Sequence, residues 1–350
     1  MAAGAHIAWF EEIGLGDRSE VGGKGGSLGE LQRAGIAVPP GYVVRAQAFE
    51  RLLESLEREA PVRTAVATLE PDDLEAIEAC SRILRARIAD ADLPQELLEE
   101  LAAAHERLTR AAEEQPVAVR SSATCEDALE ASFAGLQDTY LWVKGRTEVV
   151  RRVRSCWASL YSVASISYRL QHGFPEERVA MAVVVQHMVD ARTAGVMFTR
   201  SPTTGDRSVV TIEAAWGLGS AVVGGEVTPD RWVLGKITGE ITAREISEKL
   251  IEHVPAAGGG VASVAVSAER RRAPSVSDAE LEELRALARR IERHYARAQD
   301  IEWAIDRASG AILLLQSRPE TVWSARDAAP LAKREQDPHL HVMSIFGTRR

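Results

Sequence analysis

The chain has 350 residues and a mass of 38.0 kDa, too long for one ordinary core, and at roughly 150 residues per domain it predicts two or three domains. Hydrophobic residues at 45% and charged residues at 27% exclude a disordered chain and fit a folded, soluble protein. A net charge of −9 and a pI near 5.5 argue against a nucleic-acid surface, so any anion it binds must be held locally.

The opening "MAAGAHIAWFEEIG" has no basic segment leading into an apolar core, and the longest apolar run, "VAMAVVV" at 179–185, is far short of a bilayer span. A cytoplasmic protein with neither membrane nor nucleic acid as partner is expected. Cys80, Cys125 and Cys156 are odd in number and lack CxxC spacing, so neither a disulfide framework nor a zinc site is indicated, and a reducing compartment is the simpler reading.

The first chemical feature is "SEVGGKGGSLGEL", residues 19–31, where five of the 26 glycines fall between 22 and 29 around Lys24. Glycines let backbone N–H groups approach an anion, and a helix starting near Ser27 would aim its positive end at the same place. The spacing matches neither a Walker A loop nor G-x-G-x-x-G. A flexible turn capping a helix is the plainer alternative. The lysine favours phosphate: only five of the 42 basic residues are lysines, and its compact, mobile ammonium suits that role.

From 46 to 114 apolar residues recur at three and four, predicting three helices, with Pro71 and Pro94 at helix starts. They read as scaffold. After Gln115 the texture changes: "PVAVRSS" predicts a strand, 122–139 a long loop, "YLWV" a strand and 147–171 one or two helices. Arg120 ends its strand, where its planar fork can grip phosphate with Ser121, Ser122 and Thr124 as further donors; an ion pair with Glu126 or Asp127 is equally consistent.

A sheet-rich half follows, built of β-branched runs separated by Gly, Pro, Asp and Thr. Gln186 ends a buried-looking strand and can read a base edge through its amide. Glu213 lies in an apolar run, where a carboxylate is costly unless paired or functional. Asp190, Arg192 and Arg200 read as surface charges. Residues 253–278 are small, polar and proline-bounded, predicting an exposed loop, and 278–297 a strong helix. "DIEWAID" and "AILLLQSRP" form a predicted hairpin across "DRASG". Glu302, Gln316 and Arg318 fall at alternate positions and can share a face, where a carboxylate and an amide oxygen suit Mg²⁺. Taken alone, the hairpin's polar outer face is the simpler account. Residues 324–350 read as a tail, and the whole as an α+β architecture.

The order and wording of "VGGKGGSLGEL", "VAVRSSATCEDALEASFAGLQDTYLWV", "VVVQHMV", "AGVMFTRSPTTGD", "IEAAWGLGSAVVGGEVTPD" and "DIEWAID…LLLQSRPETVW" together resemble the nucleotide-binding domain of the phosphoenolpyruvate synthase and pyruvate phosphate dikinase family. Rifampicin phosphotransferase and phenylphosphate synthase are relatives, and the resemblance runs from about 19 to 323. It implies an ATP-grasp fold, with lobes at 1–190 and 191–323 clamping ATP. By the same resemblance Lys24 and Arg120 hold phosphates, with Gly135 and Thr139 in the lid strip. Gln186, Met188 and Val189 line the adenine pocket, Glu302 and Gln316 carry magnesium, and Arg318 grips phosphate. Glu213 matches a motif residue near the nucleotide. Cys125 and Leu136 depart from the family's usual residues without removing a phosphate ligand.

Family members carry a swivelling domain with a phosphorylatable histidine loop. ATP gives that histidine its β-phosphoryl group, the γ-phosphate goes to water or phosphate, and AMP leaves. No such loop is recognised here, so the resemblance implies an ATP-binding phosphotransferase subunit that phosphorylates a separate swivelling partner, which serves a small acceptor. Phenylphosphate synthase fits that organisation best. A split phosphoenolpyruvate synthase component and a non-catalytic ATP-binding regulatory subunit are the alternatives.

Overall fold

The computed structural model describes residues 6–109, 115–124 and 138–324. The first half runs β1 (Ile7–Trp9), α1 (Arg18–Arg33), β2 (Gly41–Val44), α2 (Ala46–Glu59), α3 (Arg63–Ala67), α4 (Leu74–Asp90), α5 (Gln95–Thr109), β3 (Val117–Ala123), β4 (Thr139–Val143), α6 (Arg146–Ser159), α7 (Val163–Gln171) and β5 (Met181–His187). The second runs β6 (Ala191–Phe198), β7 (Val209–Trp216), α8 (Ser220–Val223), β8 (Asp230–Gly235), β9 (Ile241–Glu245), β10 (Ile251–Pro255), β11 (Val261–Ala265), α9 (Ala268–Arg271), α10 (Asp278–Tyr295), β12 (Gln299–Asp306) and β13 (Ile312–Pro319).

Two antiparallel sheets organise these elements, one of order β1-β2-β5-β3-β4 and one of order β13-β12-β6-β7-β8-β9, with β10 and β11 as a separate hairpin. The period-2 alternation of a strand divides the first sheet cleanly. Val117, Val119, Val183 and Val185 face a core closed by Phe49, Leu52 and Leu53 of α2 and Trp157 of α6. The intervening positions face α1, where Val184 packs with Val21, Leu28 and Val43. Arg120 and Gln186 lie on that second face by the same alternation.

In the second sheet Met197, Ile212, Trp232, Ile301 and Trp303 meet Leu284, Ala288 and Ile291 of α10. Ser277 caps that helix in a reciprocal box with Glu280. Helix α1 belongs to both cores: Val21 and Leu28 serve the first sheet, and Leu31 the second. The Ser27 hydroxyl donates to the Ser317 carbonyl at 2.5 Å, tying α1 to β13.

Four expectations need correction. The glycine-rich helix does not start near Ser27: the backbone leaves the helical region at Gly22 (φ 70°, ψ 177°), and helix resumes immediately after it. A Cβ on Gly22 would lie 2.1 Å from the Ser122 carbonyl oxygen, so only glycine allows this approach of α1 to β3. The stretch 253–278 is not a loop, because Gly259 (φ 94°) and Gly260 (φ 77°) turn the chain into the β10–β11 hairpin. Arg200 is buried rather than superficial; it donates to the Gly205 carbonyl at 2.8 Å and lies over the Trp323 ring. The 46–114 region also contains the short α3 beyond the three helices expected.

Candidate functional site

Between the two sheets lies a cleft of about 590 Å³, the size of an ordinary small-molecule site. Lys24, Arg120, Thr139, Gln186, Met188, Val189, Glu213, Glu302, Gln316 and Arg318 all line it. Gly135, with Cys125 and Leu136, lies outside the described residues. Residues nearly 300 positions apart in sequence thus meet at one wall.

The glycine loop is held by β3. The Ser122 hydroxyl donates to the Val21 carbonyl at 2.9 Å and accepts from the Gly25 N–H at 3.2 Å, so it spans the kink at Gly22. This places Lys24 in the first turn of the resumed helix, on the cleft.

Arg120 joins the two sheets. The residue is 8% exposed, and its guanidinium donates to the Leu315 carbonyl at 2.8 Å, to Glu302 Oε2 at 3.0 Å and to Gln316 Oε1 at 2.7 Å. Glu302 pairs directly with Gln316 across the β12–β13 ladder, while Trp303 pairs with Leu314, so Leu315 is the extra residue of a β-bulge. The bulge is what gives Arg120 a backbone carbonyl as third acceptor. The predicted shared face of Glu302 and Gln316 is observed as this register pair.

Both latter acceptors bond the same nitrogen, Nη2, so a carboxylate oxygen and an amide oxygen converge on one point. Two hard oxygens in that arrangement fit Mg²⁺, which takes few protein ligands and fills its shell from phosphate and water. Among the described residues no group of three or more His, Cys, Asp or Glu is assembled for a metal, so a site that relied on protein ligands alone is not formed there.

Arg318 stands opposite Asp300 in the same ladder, 3.4 Å from its carboxylate. Burial pushes the Asp300 carboxyl up to about 6, against the opposing pull of Arg318. Asp300 also lines the cleft, and sequence reasoning missed it. Its position two residues before Glu302 on the same strand face was the available signal. Burial likewise raises Glu213 above the usual carboxylate range, with Arg231 at 3.9 Å acting the other way. Gln186 donates to the Pro39 carbonyl at 3.2 Å, so part of its amide is already committed to the first lobe.

The apolar end of the cleft is a cluster of Val189, Ala191, Ala194 and Leu218 with Met188 and Leu315 against it. The cleft therefore has an apolar end and cationic side chains, Lys24, Arg120 and Arg318, among its lining. That combination suits a flat ring joined to a polyanion.

The family model of the pyruvate phosphate dikinase AMP/ATP-binding domain matches residues 18–339. The chain belongs to that family. A probable phosphoenolpyruvate synthase of Staphylothermus marinus is 40% identical over 95% of this chain and 43% of that protein. A phosphoenolpyruvate synthase of Aeropyrum pernix is 42% identical over 95% of this chain and 44% of that protein. A rifampicin phosphotransferase from a Streptomyces species is 39% identical over 98% and 38%. The chain thus spans less than half the length of these relatives. Among solved structures, D-alanyl-alanine synthetase A of Vibrio cholerae aligns over 69% of this chain and 54% of that one, at 12% identity and a TM-score of 0.24. No described helix is long and apolar enough to cross a membrane.

Proposed function

We propose that this family member binds Mg²⁺–ATP in the interlobe cleft, cleaves it to AMP and passes the β-phosphoryl group to a histidine on a separate swivelling protein, which serves a small acceptor, phenol-type or pyruvate. The observation that carries the reading is the meeting of Lys24, Arg120 and Arg318 with Glu302 and Gln316 at one cleft that also has an apolar end.

The chain's own residues supply charge and position. The Lys24 ammonium and the two guanidiniums offset negative charge that builds on the phosphates in the transition state, where little covalent work is asked of the protein. Arg120 is oriented by the Leu315 carbonyl, and the apolar cluster receives the base. Glu302 and Gln316 would hold magnesium, which when bound neutralises phosphate charge and orients the leaving group. In the transfer the partner histidine nitrogen forms a bond to the β-phosphorus while the bond from that phosphorus to the AMP oxygen breaks, and the γ-phosphoryl group carried over with it goes to water or phosphate as its bond to the bridging oxygen breaks, leaving AMP and the phosphohistidine.

An acceptor from elsewhere is favoured by the state of the one histidine among the described cleft residues. His187 has Nε2 at 2.9 Å from the Leu108 carbonyl and Nδ1 at 3.5 Å from the Gln115 amide, so neither nitrogen is offered to the cleft. AMP release from Mg²⁺–ATP, measured with copurifying proteins present, tests the reading. Lys24→Ala and Arg120→Ala should each lower the rate about 10²- to 10³-fold, the range for losing one charge-stabilising group. Wild-type rates in both variants would show the assignment to be wrong. Tight ATP binding without AMP formation in any combination would instead favour a non-catalytic regulatory subunit.

A further inference from the structure

Outside the grip on phosphate, a Ser–His–Glu chain ends at the wall of the same cleft. Ser220 opens α8 and lines the cleft. Its Oγ lies 2.8 Å from His253 Nδ1, and His253 Nε2 lies 3.3 Å from Glu226 Oε2. His253 is 8% exposed and is fixed by its backbone as well: its carbonyl accepts from the Leu218 N–H at 2.9 Å, and it bridges Gly217. A Cβ on Gly217 (φ 76°) would come within 2.4 Å of that carbonyl oxygen, so the glycine is what lets β10 approach the loop before α8.

The chemistry of the chain has a direction. The Glu226 carboxylate lies 3.3 Å from Nε2 as an ion-pair contact, and its negative charge favours the tautomer of the neutral ring that carries its proton on Nε2. Nδ1 is then an acceptor, and the Ser220 hydroxyl must donate to it. With its one proton committed to His253, Ser220 can offer the cleft only lone pairs.

We infer that Ser220, its hydroxyl oriented by His253, is a hydrogen-bond acceptor for the nucleotide and selects a donor group on it. This rests on the ATP reading above. An acceptor cannot be matched to phosphate oxygens, which are acceptors themselves. The donors that ATP carries near neutral pH are its two ribose hydroxyls and its 6-amino group, so the partner is one of these three. Ser220 is thus a binding residue, and His253 and Glu226 are positioning residues that set its polarity.

Direct binding to the intact chain tests this without the phosphoryl acceptor. The probes are Mg²⁺ complexes of ATP, 2′-deoxy-ATP, 3′-deoxy-ATP and the purine riboside triphosphate that lacks the 6-amino group, titrated by calorimetry. Ser220→Ala should weaken ATP about three- to tenfold, the size of one neutral hydrogen bond. It should have no effect on the one analogue from which the partner hydrogen is missing. His253→Ala should reproduce that pattern, and His253→Asn, whose amide oxygen can replace Nδ1 as acceptor, should restore wild-type discrimination. Equal weakening of all four ligands, or of none, would overturn the inference while leaving the ATP reading intact. A wild-type chain that binds none of the four would overturn both.

Discussion

Arg120 is the residue whose replacement says most about how the lobes and the site are coupled. Its guanidinium is nearly buried and makes three hydrogen bonds across the cleft, two of them to the side chains of Glu302 and Gln316. Bonds involving a charged group contribute about 1.5–3 kcal/mol each, and those sharing one side chain do not add. Removing one partner of a buried ion pair costs about 3–5 kcal/mol. The Glu302 side chain is 31% exposed, so water can solvate part of the carboxylate left behind, which lowers the cost. Arg120→Met should therefore lose about 2–4 kcal/mol of stability. Urea unfolding followed by tryptophan fluorescence, with Trp303 in β12 as a reporter beside the contact, measures the loss as a shift in midpoint at unchanged slope.

The double-mutant cycle with Glu302→Gln isolates the pair. Because both single replacements break the same contact, the double variant should be less destabilised than their sum by about 1–2 kcal/mol. Strict additivity would mean the two side chains do not interact in solution. An Arg120→Met variant with the wild-type midpoint would refute the account of Arg120 as an interlobe strut.

Gly22→Ala forces a positive φ on a residue with a Cβ and drives that carbon onto the Ser122 carbonyl, so a loss on the order of 3 kcal/mol is expected, read as a fall in Tm; an unchanged Tm would contradict the packing of α1 on β3. The Asp300 carboxyl is raised to about 6 by burial, so the folded state favours its protonated form. Its stabilising contribution is present below the ordinary carboxylate pKa of about 4 and is lost as pH rises through about 6. Asp300→Asn should thus exceed wild type in stability by about 1–3 kcal/mol at pH 7.5, and the gain should vanish near pH 4; parallel profiles in urea titrations across that range would refute it. Lys249 and Asp230 form a wholly buried ion pair, and Asp230 also accepts from Ser275 at 2.8 Å. Lys249→Met leaves a buried carboxylate uncompensated and should cost about 3–5 kcal/mol, with Lys249→Met/Asp230→Asn recovering part of it in the same urea assay.

What was legible in the sequence was whatever depends on periodicity. Alternation along "DIEWAID" and "LLLQSRP" put Glu302, Gln316 and Arg318 on one face, and the ladder pairs Glu302 with Gln316 and Arg318 with Asp300. The helical spacing in 46–114 gave the scaffold helices. Features set by contacts between distant segments were not legible. The bulge at Leu315 depends on register across the hairpin, and no local propensity marks it. The early start of the α1 helix follows from Gly22 meeting Ser122, a contact 100 residues away in sequence. Arg200 reads as a surface charge because its burial depends on Trp323, more than 120 positions later. In the Ser220–His253–Glu226 chain two members share the stretch "IEAAWGLGSAVVGGEVTPD", but the histidine between them comes from a hairpin strand outside it, which no local pattern announces.

Two of the connections between the lobes differ in kind, and that difference bears on the proposed reaction. On one side α1 is shared by both hydrophobic cores, with Leu28 in one and Leu31 in the other, a junction that no ligand displaces. Across the cleft one tie is Arg120, and two of its three acceptors are the groups assigned to magnesium in the proposed function. If Glu302 and Gln316 take a cation, Arg120 must trade part of their company for phosphate oxygens, exchanging an interlobe contact for a ligand contact. The affinity measured for ATP is then a difference between two sets of charged hydrogen bonds. On that reasoning Arg120→Met should lower ATP affinity by less than the loss of one charged contact predicts, because the variant no longer has an interlobe contact to give up, while the rate of phosphoryl transfer, which needs the charge in the transition state, should bear the larger effect.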